Sequence, residues 1–216
     1  NKARHEIRQQ VDLLCNDLVR AYQDMAAQLN TAQIGADFAA ALAPELEVEG
    51  LLRKSMEWFL RKLGPVNAAV YLPDGDRQFA LGAYLNLDTE ADAPLIATLG
   101  ETLVHQADKA SGPVVAENDA AIDGLFGLEG ERLKGRAWVA LACLPQGGDG
   151  HGGAALLAVL VVFKKQSPGG TDIDPHMLAI LEATAPVMGE RIQQALGLYH
   201  RLHPFLEDDS SDYESA

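Results

Sequence analysis

Residues 136–144 read RAWVALACL and residues 154–163 read AALLAVLVVF, and these two apolar runs decide the fold. A strand with one solvated face alternates apolar with polar residues, and neither run shows this alternation. Continuous apolar strands are typical of a sheet that is covered on both faces. We therefore expect two neighbouring strands, with one layer of the chain above the sheet and another below it.

The segment between the two runs, residues 145–153, is rich in glycine and predicts a hairpin connection. Its letters GDGHGG, residues 148–153, also satisfy the dinucleotide-binding pattern GxGxxG. That motif must open a helix, whereas a strand follows here, so we interpret the match as accidental. Asp149 and His151 alone are too few ligands for a metal site.

Composition excludes several classes of partner. Of the 216 residues, 48% are apolar, which is enough for a proper core. The formal charge of −14 argues against nucleic acid and anionic membranes, because both need an electropositive surface. No apolar stretch reaches membrane-spanning length, and the N-terminal region is unlike a signal peptide. We expect no nucleic acid and no membrane as partners.

The two cysteines, Cys15 and Cys143, lie in different predicted elements and form no CxxC motif. This spacing indicates neither a disulfide scaffold nor a zinc site, and it fits a reducing, cytoplasmic environment. Residues 204–216 hold five acids and no base. We interpret them as a solvated disordered tail, with a phosphorylation target or an acidic binding tail as the alternatives.

Apolar residues recur at spacings of three and four over residues 4–29 and predict a helix with one apolar seam. The members of the seam are Ile7, Val11, Leu14, Leu18, Ala21 and Met25. Gln28 ends it after about three heptads, near the lower limit for a coiled coil. Because Gly35 is expected to separate this helix from the globular part, we interpret the seam as a dimer contact. The alternative is an amphipathic helix that lies on its own domain.

The rest of the chain predicts alternating helices and strands. Gly64-Pro65 ends one helix, Asp174-Pro175 caps and starts another, and Pro186 is expected to bend that last helix. We predict helices over 36–42, 46–63, 93–109 and 175–202, strands over 67–72, 78–85, 114–116, 136–144 and 154–163, and a loop with short helical turns over 117–135. This order indicates an α/β (α+β) sandwich around an antiparallel sheet of five to six strands.

From residue 46 to residue 199 the chain resembles a GAF domain. The resemblance is carried by LEVEGLL at 46–52, GPVNAAVYL at 64–72, SGPVV at 111–115, RAWVALACLP at 136–145 and IDPHMLAILE at 173–182. It implies a GAF/PAS-like fold in which the first and last helices cover one sheet face and often extend into a dimeric bundle. It also implies that residues 117–135 form a lid over a small-molecule pocket on the other face.

The domain organisation follows from this resemblance. Residues 1–45 form a helical dimerisation segment, residues 46–203 the GAF-like domain and residues 204–216 the acidic tail. The implied partners are a small-molecule ligand of unknown identity, a second copy bound through the N- and C-terminal helices, and an output domain or protein outside this chain.

Several GAF subclasses do not match the residues. The signature of the cyclic-nucleotide-binding members is absent, and no cysteine lies where bilin-binding members attach their pigment. A haem needs an axial ligand, and His105, alone in the pocket half, is more often a surface or hydrogen-bonded residue. Members that reduce free methionine sulfoxide use several cysteines, whereas Cys143 is alone in the domain.

We therefore predict a non-catalytic sensory or regulatory GAF domain with no cofactor that the sequence identifies. The alternatives are a dimerisation or docking scaffold with a filled pocket and, third, an enzyme of the sulfoxide-reductase type. The predicted ligand-binding residues are Tyr71, Tyr84, Asn118, Phe126 and Trp138. Their aromatic groups either hold a ring of the ligand or fill the pocket themselves.

Overall fold

The computed structural model describes residues 2–74, 78–110, 112–144, 156–165 and 173–202. Helix α1 spans Lys2–Leu42 and α2 spans Val48–Leu63; they are followed by strands β1 (Asn67–Pro73) and β2 (Phe79–Leu85). Next come α3 (Ala93–Glu101), α4 (Leu103–Lys109), β3 (Val114–Ala116), α5 (Asp119–Phe126) and a 3-10 helix (Gly127–Leu133). Strands β4 (Arg136–Cys143) and β5 (Ala158–Lys165) and helix α6 (Pro175–Leu202) complete the described chain.

The strands form one antiparallel sheet in the order β2-β1-β5-β4-β3. The two apolar runs contribute β4 and β5, which pair along their whole length and lie inside the sheet, as predicted. Strand β5 begins at Ala158, later than the predicted start at residue 154, and extends to Lys165. The predicted hairpin connection, with its GxGxxG letters, Asp149 and His151, lies outside the described residues, as does the acidic tail. The predicted five-stranded antiparallel α+β fold is confirmed.

Each face of the sheet carries its own buried cluster. The helix-face cluster joins α2 and α6 to alternate strand residues such as Val70, Val139 and Cys143. The lid-face cluster joins α3, α4, α5 and the 3-10 helix to the intervening strand residues, including Tyr71 and Trp138. This double covering is the reason why neither central strand shows an alternating pattern.

Helix α1 is continuous from Lys2 to Leu42, so the predicted break at Gly35 is wrong. An isolated glycine costs a helix only about 1 kcal/mol, and packing offsets this cost. Phe38 and Leu42 are fully buried in the helix-face cluster, and a Cβ at Gly35 would lie 3.5 Å from the carbonyl oxygen of Ala183 in α6. The domain boundary at residue 46 stays a prediction, but the core takes in residues before it.

The predicted helix over residues 93–109 is divided at Thr102, which separates α3 from α4. Thr102 has φ −117° and ψ −86°, outside the helical region, and its buried hydroxyl donates to the carbonyl oxygen of Thr98. Leu99 and Leu103, which lie four positions apart on either side of the division, both belong to the lid-face cluster. Apolar periodicity alone does not reveal this division, because both halves keep a helical pattern.

The last helix starts as predicted. The carboxylate of Asp174 accepts the backbone N–H of Met177 over 2.6 Å, and Pro175 is the first residue of α6. The helix continues through Pro186, and the predicted bend there stays a prediction. Most of its apolar stripe packs on its own sheet rather than remaining exposed for a dimer. The buried members are Leu181, Ala185, Met188, Ile192 and Ala195.

Candidate functional site

The space between the sheet and the lid is filled by side chains of the chain itself. The strand residues Tyr71, Trp138 and Phe163 are almost completely buried there. They meet fully buried residues from the covering helices, among them Leu99, Leu103, Ile122 and Leu133. The interior therefore resembles a packed core more than a vacant pocket.

Trp138 makes its polar contact within this core. Its indole N–H donates to the carbonyl oxygen of Leu133 in the 3-10 helix over 2.8 Å. Its ring lies 4.2 Å from that of Phe163, measured between centroids, and the two residues are cross-strand neighbours. Both the donor and one face of the ring are thus occupied by the protein.

The hydroxyl group of Tyr71 also has its hydrogen-bond partner within the protein. Its hydroxyl donates to the carbonyl oxygen of Ile96 in α3 over 2.8 Å. Burial raises the pKa of this phenol far above its ordinary value, because the buried site disfavours the phenolate. Tyr71 lies opposite Val159 and Trp138 opposite Phe163, so four positions along β5 separate the two predicted ligand contacts.

Tyr84 lies on the lid face but outside the core. The register places it opposite Ala69, a member of the lid-face cluster, because a bulge between Val70 and Tyr71 shifts the pairing of β2. Strand β2 is an edge strand, and Tyr84 is 48% exposed. The structure does not bring Tyr84 together with Trp138.

Asn118 and Phe126 bracket helix α5. The side chain of Asn118 is exposed, and its Oδ1 caps the helix by accepting the N–H of Ala121 over 2.9 Å. Phe126 is half-buried and packs against the lid-face cluster. Asn118 therefore has a structural partner, and of the two predicted contacts on the lid only Phe126 lines an open cleft.

Two open clefts lie beside the packed interior, and both include His105. One, of about 410 Å³, is lined by residues of β2 and α3, among them Phe79, Gly100 and Glu101, with Tyr71 at its base. The other, of about 380 Å³, is lined by Thr102, Gln106, Lys109, Leu125, Phe126 and Glu129. We call the first the β2 cleft and the second the α4 cleft.

Sequence reasoning considered His105 only as a haem ligand and missed Phe79. In the structure the ring of Phe79 meets the imidazole of His105 edge to face, with centroids 5.2 Å apart. The signal for Phe79 was weak, because a bulge at Gly82 of β2 changes which residues of that strand face the lid. The β2 cleft thus presents an aromatic ring, an imidazole and the carboxylate of Glu101 side by side.

Cys143 lies on the opposite face of the sheet and is fully buried. Its Sγ–H donates to the thioether sulfur of Met188 over 3.7 Å. Burial raises the pKa of the thiol to about 12, so the reactive thiolate is scarce at neutral pH. The other cysteine, Cys15, is exposed on α1. The part of the chain that the structure describes contains no group of three or more His, Cys, Asp or Glu residues that could hold a metal.

None of the helices in the described ranges is both long and apolar enough to cross a membrane. No family model matches the sequence, and the curated proteins contain no match to it.

Several solved structures are similar to the chain in fold. The chain is similar to the GAF domain of a phosphoenolpyruvate-protein phosphotransferase from Coxiella burnetii, with 16% identity and a TM-score of 0.58, over 79% of this chain and 97% of that one. The GAF domain of the corresponding Acinetobacter protein gives 14% identity, a TM-score of 0.56, and 79% and 97% coverage.

An enzyme also has this fold. The free methionine-R-sulfoxide reductase of Neisseria meningitidis, solved with its substrate, is 14% identical with a TM-score of 0.56, over 80% of this chain and 93% of that one. Similarity at this level of identity establishes a shared architecture. The chain has the fold of GAF domains.

Proposed function

We propose that the chain is a non-catalytic regulatory GAF domain that transmits a signal through its two flanking helices in a dimer. The observation that carries this proposal is the contact between α1 and α6, which we call the helix joint. The guanidinium of Arg191 donates to the carbonyl oxygens of Leu42 and Ala43 over 3.0 and 3.2 Å. Gly35 lies against the backbone of Ala183 at the other end of the contact.

The helix joint couples the sheet to the outer part of α1. Helix α6 packs on β4 through Ala185 and Met188, and α1 packs on α6. Arg191 places a positive charge at the C-terminus of α1, where the last carbonyl groups lack helical partners. A shift of α6 on the sheet would therefore move α1 as well, which is what a signalling helix requires.

The thiol chemistry supports a function without catalysis. Reduction of a sulfoxide by thiols needs one thiolate to attack and a second thiol to resolve the oxidised sulfur. Cys143 is buried against Met188 with a raised pKa, and the sequence has only one other cysteine, Cys15 on α1. The fold of a reductase is thus present without the pair of thiols that the reaction uses.

A small ligand, if it provides the signal, is best accommodated in the β2 cleft. Phe79 offers a ring edge or face, and His105 and Glu101 offer a hydrogen-bonding rim. The closed interior around Trp138 leaves no comparable space among the described residues. We therefore place the ligand contacts at Tyr71, Phe79 and His105, and we expect a planar, partly apolar molecule with a polar edge.

A scaffold without a ligand is the second candidate function. It is favoured by the hydrogen bonds that Tyr71 and Trp138 donate to the backbone of their own chain. These bonds satisfy the hydroxyl group and the indole N–H without a ligand. In this case the helix joint would serve dimerisation or the docking of a partner protein.

A thermal-shift screen of nucleotides, amino acids and aromatic metabolites, followed by hydrogen exchange on each hit, tests the proposal. We expect a hit to protect residues 96–109 and to change exchange at both sides of the helix joint, residues 34–43 and 184–195. Phe79→Ala removes a side chain that lines the β2 cleft and should abolish the hit. The matched control is Leu128→Ala, on an exposed part of the lid, which should leave the hit unchanged.

Three results would count against the proposal. Protection restricted to the cleft would show that the joint does not respond, and an empty screen would favour the scaffold. Reduction of free methionine sulfoxide with dithiothreitol as reductant, lost on Cys143→Ser, would show that the chain is an enzyme.

A further inference from the structure

A small cleft lies between α6 and the end of β4, toward the opposite edge of the sheet from the β2 cleft. Its volume is about 220 Å³, and an apolar cavity of roughly 150 Å³ already accepts a benzene ring. Its walls are mostly apolar and include Pro113, Leu141, Leu144, Ala185 and Pro186, beside the charged residue Glu182. We call it the α6 cleft.

The backbone of Ala142, which also lines the α6 cleft, is open at the edge of β4. Strand β3 pairs with β4 only from Trp138 to Ala140, whereas β5 pairs with β4 as far as Cys143. The carbonyl oxygen of Cys143 accepts the N–H of Leu157 and therefore points toward β5. Successive residues of a strand direct these groups to opposite sides, so Ala142 directs its N–H and C=O toward the β3 edge. Neither group has a backbone partner among the described residues.

A second acceptor is free in α6. Pro186 has no N–H, so the carbonyl oxygen of Glu182, four residues earlier, lacks the helical hydrogen bond that it would otherwise accept. Both residues line the cleft, together with Ala185 on the same face of the helix. Because a polar group without a partner is costly to bury, this carbonyl favours a ligand that donates a hydrogen bond.

The charge of the cleft selects the same kind of ligand. Glu182 is exposed and belongs to no ion pair among the described residues. None of the described lining residues is Lys, Arg or His. The whole chain carries 31 acidic and 17 basic residues, and this excess of negative charge attracts cations. An ammonium group has three N–H donors and no acceptor, which suits a carboxylate beside two free carbonyl groups.

We propose that the α6 cleft binds a small primary ammonium compound with a branched apolar group, such as an alkylamine. The apolar group lies against Leu141, Ala185 and Pro186. The ammonium group donates to the carbonyl oxygens of Ala142 and Glu182 and faces the carboxylate of Glu182. This site is separate from the β2 cleft and does not depend on the proposed function.

A titration of the nitrogen-15-labelled full chain with isopentylammonium chloride, followed by NMR near neutral pH, tests the site. So small a ligand is expected to bind with a Kd in the millimolar range. We expect saturable shifts at the amides of Ala142 and Glu182. Isopentanol has the same shape without the charge. It should bind at least about tenfold more weakly, because hydrogen bonds from a charged donor are the stronger ones.

A second comparison tests the hydrogen bond to the free carbonyl group. The trimethylated ammonium analogue keeps the charge but has no N–H, and it should also bind at least about tenfold more weakly. Pro186→Ala supplies the N–H that the carbonyl of Glu182 lacks. In this variant the advantage of the primary ammonium over its trimethylated analogue should shrink by about threefold or more.

The charge is tested by Glu182→Gln, which should weaken binding roughly two- to fivefold, the range of an exposed ion pair. The matched control is Glu190→Gln, at an exposed position of the same helix that does not line the cleft. It should leave the Kd unchanged.

Gly112→Leu tests the space without a change in the helix. Gly112 lines the cleft, and a Cβ at this position meets no atom within 4 Å, so the added side chain should be tolerated while it occupies the cleft. We expect a loss of at least about tenfold in affinity. The matched control is Gly124→Leu on α5, where a Cβ also meets no atom within 4 Å. Circular dichroism checks that both variants fold.

A lysine side chain of a partner protein would offer the same chemistry as a free amine. Acetyl-lysine methylamide distinguishes the two sources, because it presents an unbranched stem that ends in the ammonium group. We expect it to bind at least about tenfold more weakly than isopentylammonium. Equal affinity of the two probes would overturn the free amine in favour of a lysine of another protein.

Each remaining outcome supports the site or overturns it. Selective binding of the primary ammonium that is lost in Gly112→Leu and kept in Gly124→Leu supports it. Equal binding of isopentanol would show an apolar cavity without ammonium recognition. Comparable shifts at exposed Glu190 would show non-specific association with acidic residues. Shifts that spare Ala142 and appear instead at Phe79 would place the ligand in the β2 cleft and overturn the proposal, as would the absence of any saturable shift.

Discussion

The guanidinium of Arg191, in the third quarter of α6, donates to the carbonyl oxygen of Leu42, the last residue of α1, across 149 positions of the chain. This bond ties the end of the first helix to the last one. It also gives a terminal carbonyl group of α1 a hydrogen bond from a charged donor, and such a bond is stronger than one from a neutral donor. The contact therefore sets the orientation in which α1 leaves the domain.

Arg191→Met should loosen the helix joint. The variant keeps most of the apolar stem but removes the hydrogen bonds to Leu42 and Ala43, for a loss of about 1–2 kcal/mol in the free energy of unfolding. Hydrogen exchange should accelerate in the last turn of α1. The control Arg53→Met lies on an exposed position of α2 and should change stability by at most about 0.5 kcal/mol. Equal effects of both variants would contradict the role of the joint.

Two glycines of α6 form a matched pair. A Cβ at Gly189 would lie 2.7 Å from the backbone carbonyl group of Leu144, so Gly189→Ala should force α6 away from β4 and cost about 1–3 kcal/mol. At Gly197 a Cβ would meet no described atom within 4 Å, so Gly197→Ala should stabilise the helix by about 0.5–1 kcal/mol. Chemical denaturation measures both. A neutral Gly189→Ala would show that the approach of helix and strand is less tight than described.

The two faces of α1 should respond differently to substitution. Leu14→Glu combined with Leu18→Glu places charges on the exposed apolar seam of α1 and should lower the molecular mass in light scattering while leaving the melting temperature almost unchanged. Phe38→Ala removes a buried ring that stacks on Phe59 and should cost about 3–5 kcal/mol. Unfolding by the double variant would mean that the seam belongs to the core of its own domain.

Cys143 should make stability depend on alkaline pH. Its pKa is raised from 9.0 to about 12 in the folded chain, so the folded state retains a proton that the unfolded state loses. Stability from this group is therefore complete below about pH 9 and falls as the pH rises toward 12, by up to about 1.4 kcal/mol per unit. Between pH 9 and 10, Cys143→Ala should flatten the dependence in urea titrations. An identical slope in the variant would contradict the burial of the thiol.

Thiol labelling provides a second check on the same residue. At pH 8 in the native protein, a maleimide should modify exposed Cys15 rapidly and Cys143 only after unfolding. Rapid native labelling of Cys143 would reopen the possibility of thiol catalysis. The alanine variant itself should cost about 1 kcal/mol through the small cavity it leaves.

Trp138→Ala should open the interior of the lid face. It removes a fully buried ring and the hydrogen bond to Leu133, for a loss of about 3–5 kcal/mol. If the side chain fills the site, added indole should restore part of the lost stability in thermal melts of the variant and have no effect on the wild type. A stabilising effect of indole on the wild type would show that the native interior still accepts a ring.

The sequence by itself determined the elements whose signals are local. The continuous apolar runs at 136–144 and 154–163 predicted a sheet covered on both faces, and β4 and β5 are buried on both sides. Asp174 and Pro175 predicted the start of α6 because a cap and an N-terminal proline act within one turn. The same locality explains why the strands themselves were predictable, whereas their order in the sheet depends on pairings between distant residues, such as β1 with β5.

The tertiary structure alone decided which side chains meet. Gly35 was predicted to end a helix, but burial of Phe38 and Leu42 carries α1 through it. Thr102 divides one predicted helix, although the apolar pattern continues through both halves. The candidate site depended on the same information. A one-residue bulge sets the face of Tyr84, and the bond from Trp138 to Leu133 makes a possible ligand contact into a packed core residue. Periodicity records how apolar a residue's surroundings are, whereas only the packed structure shows whether protein or ligand occupies them.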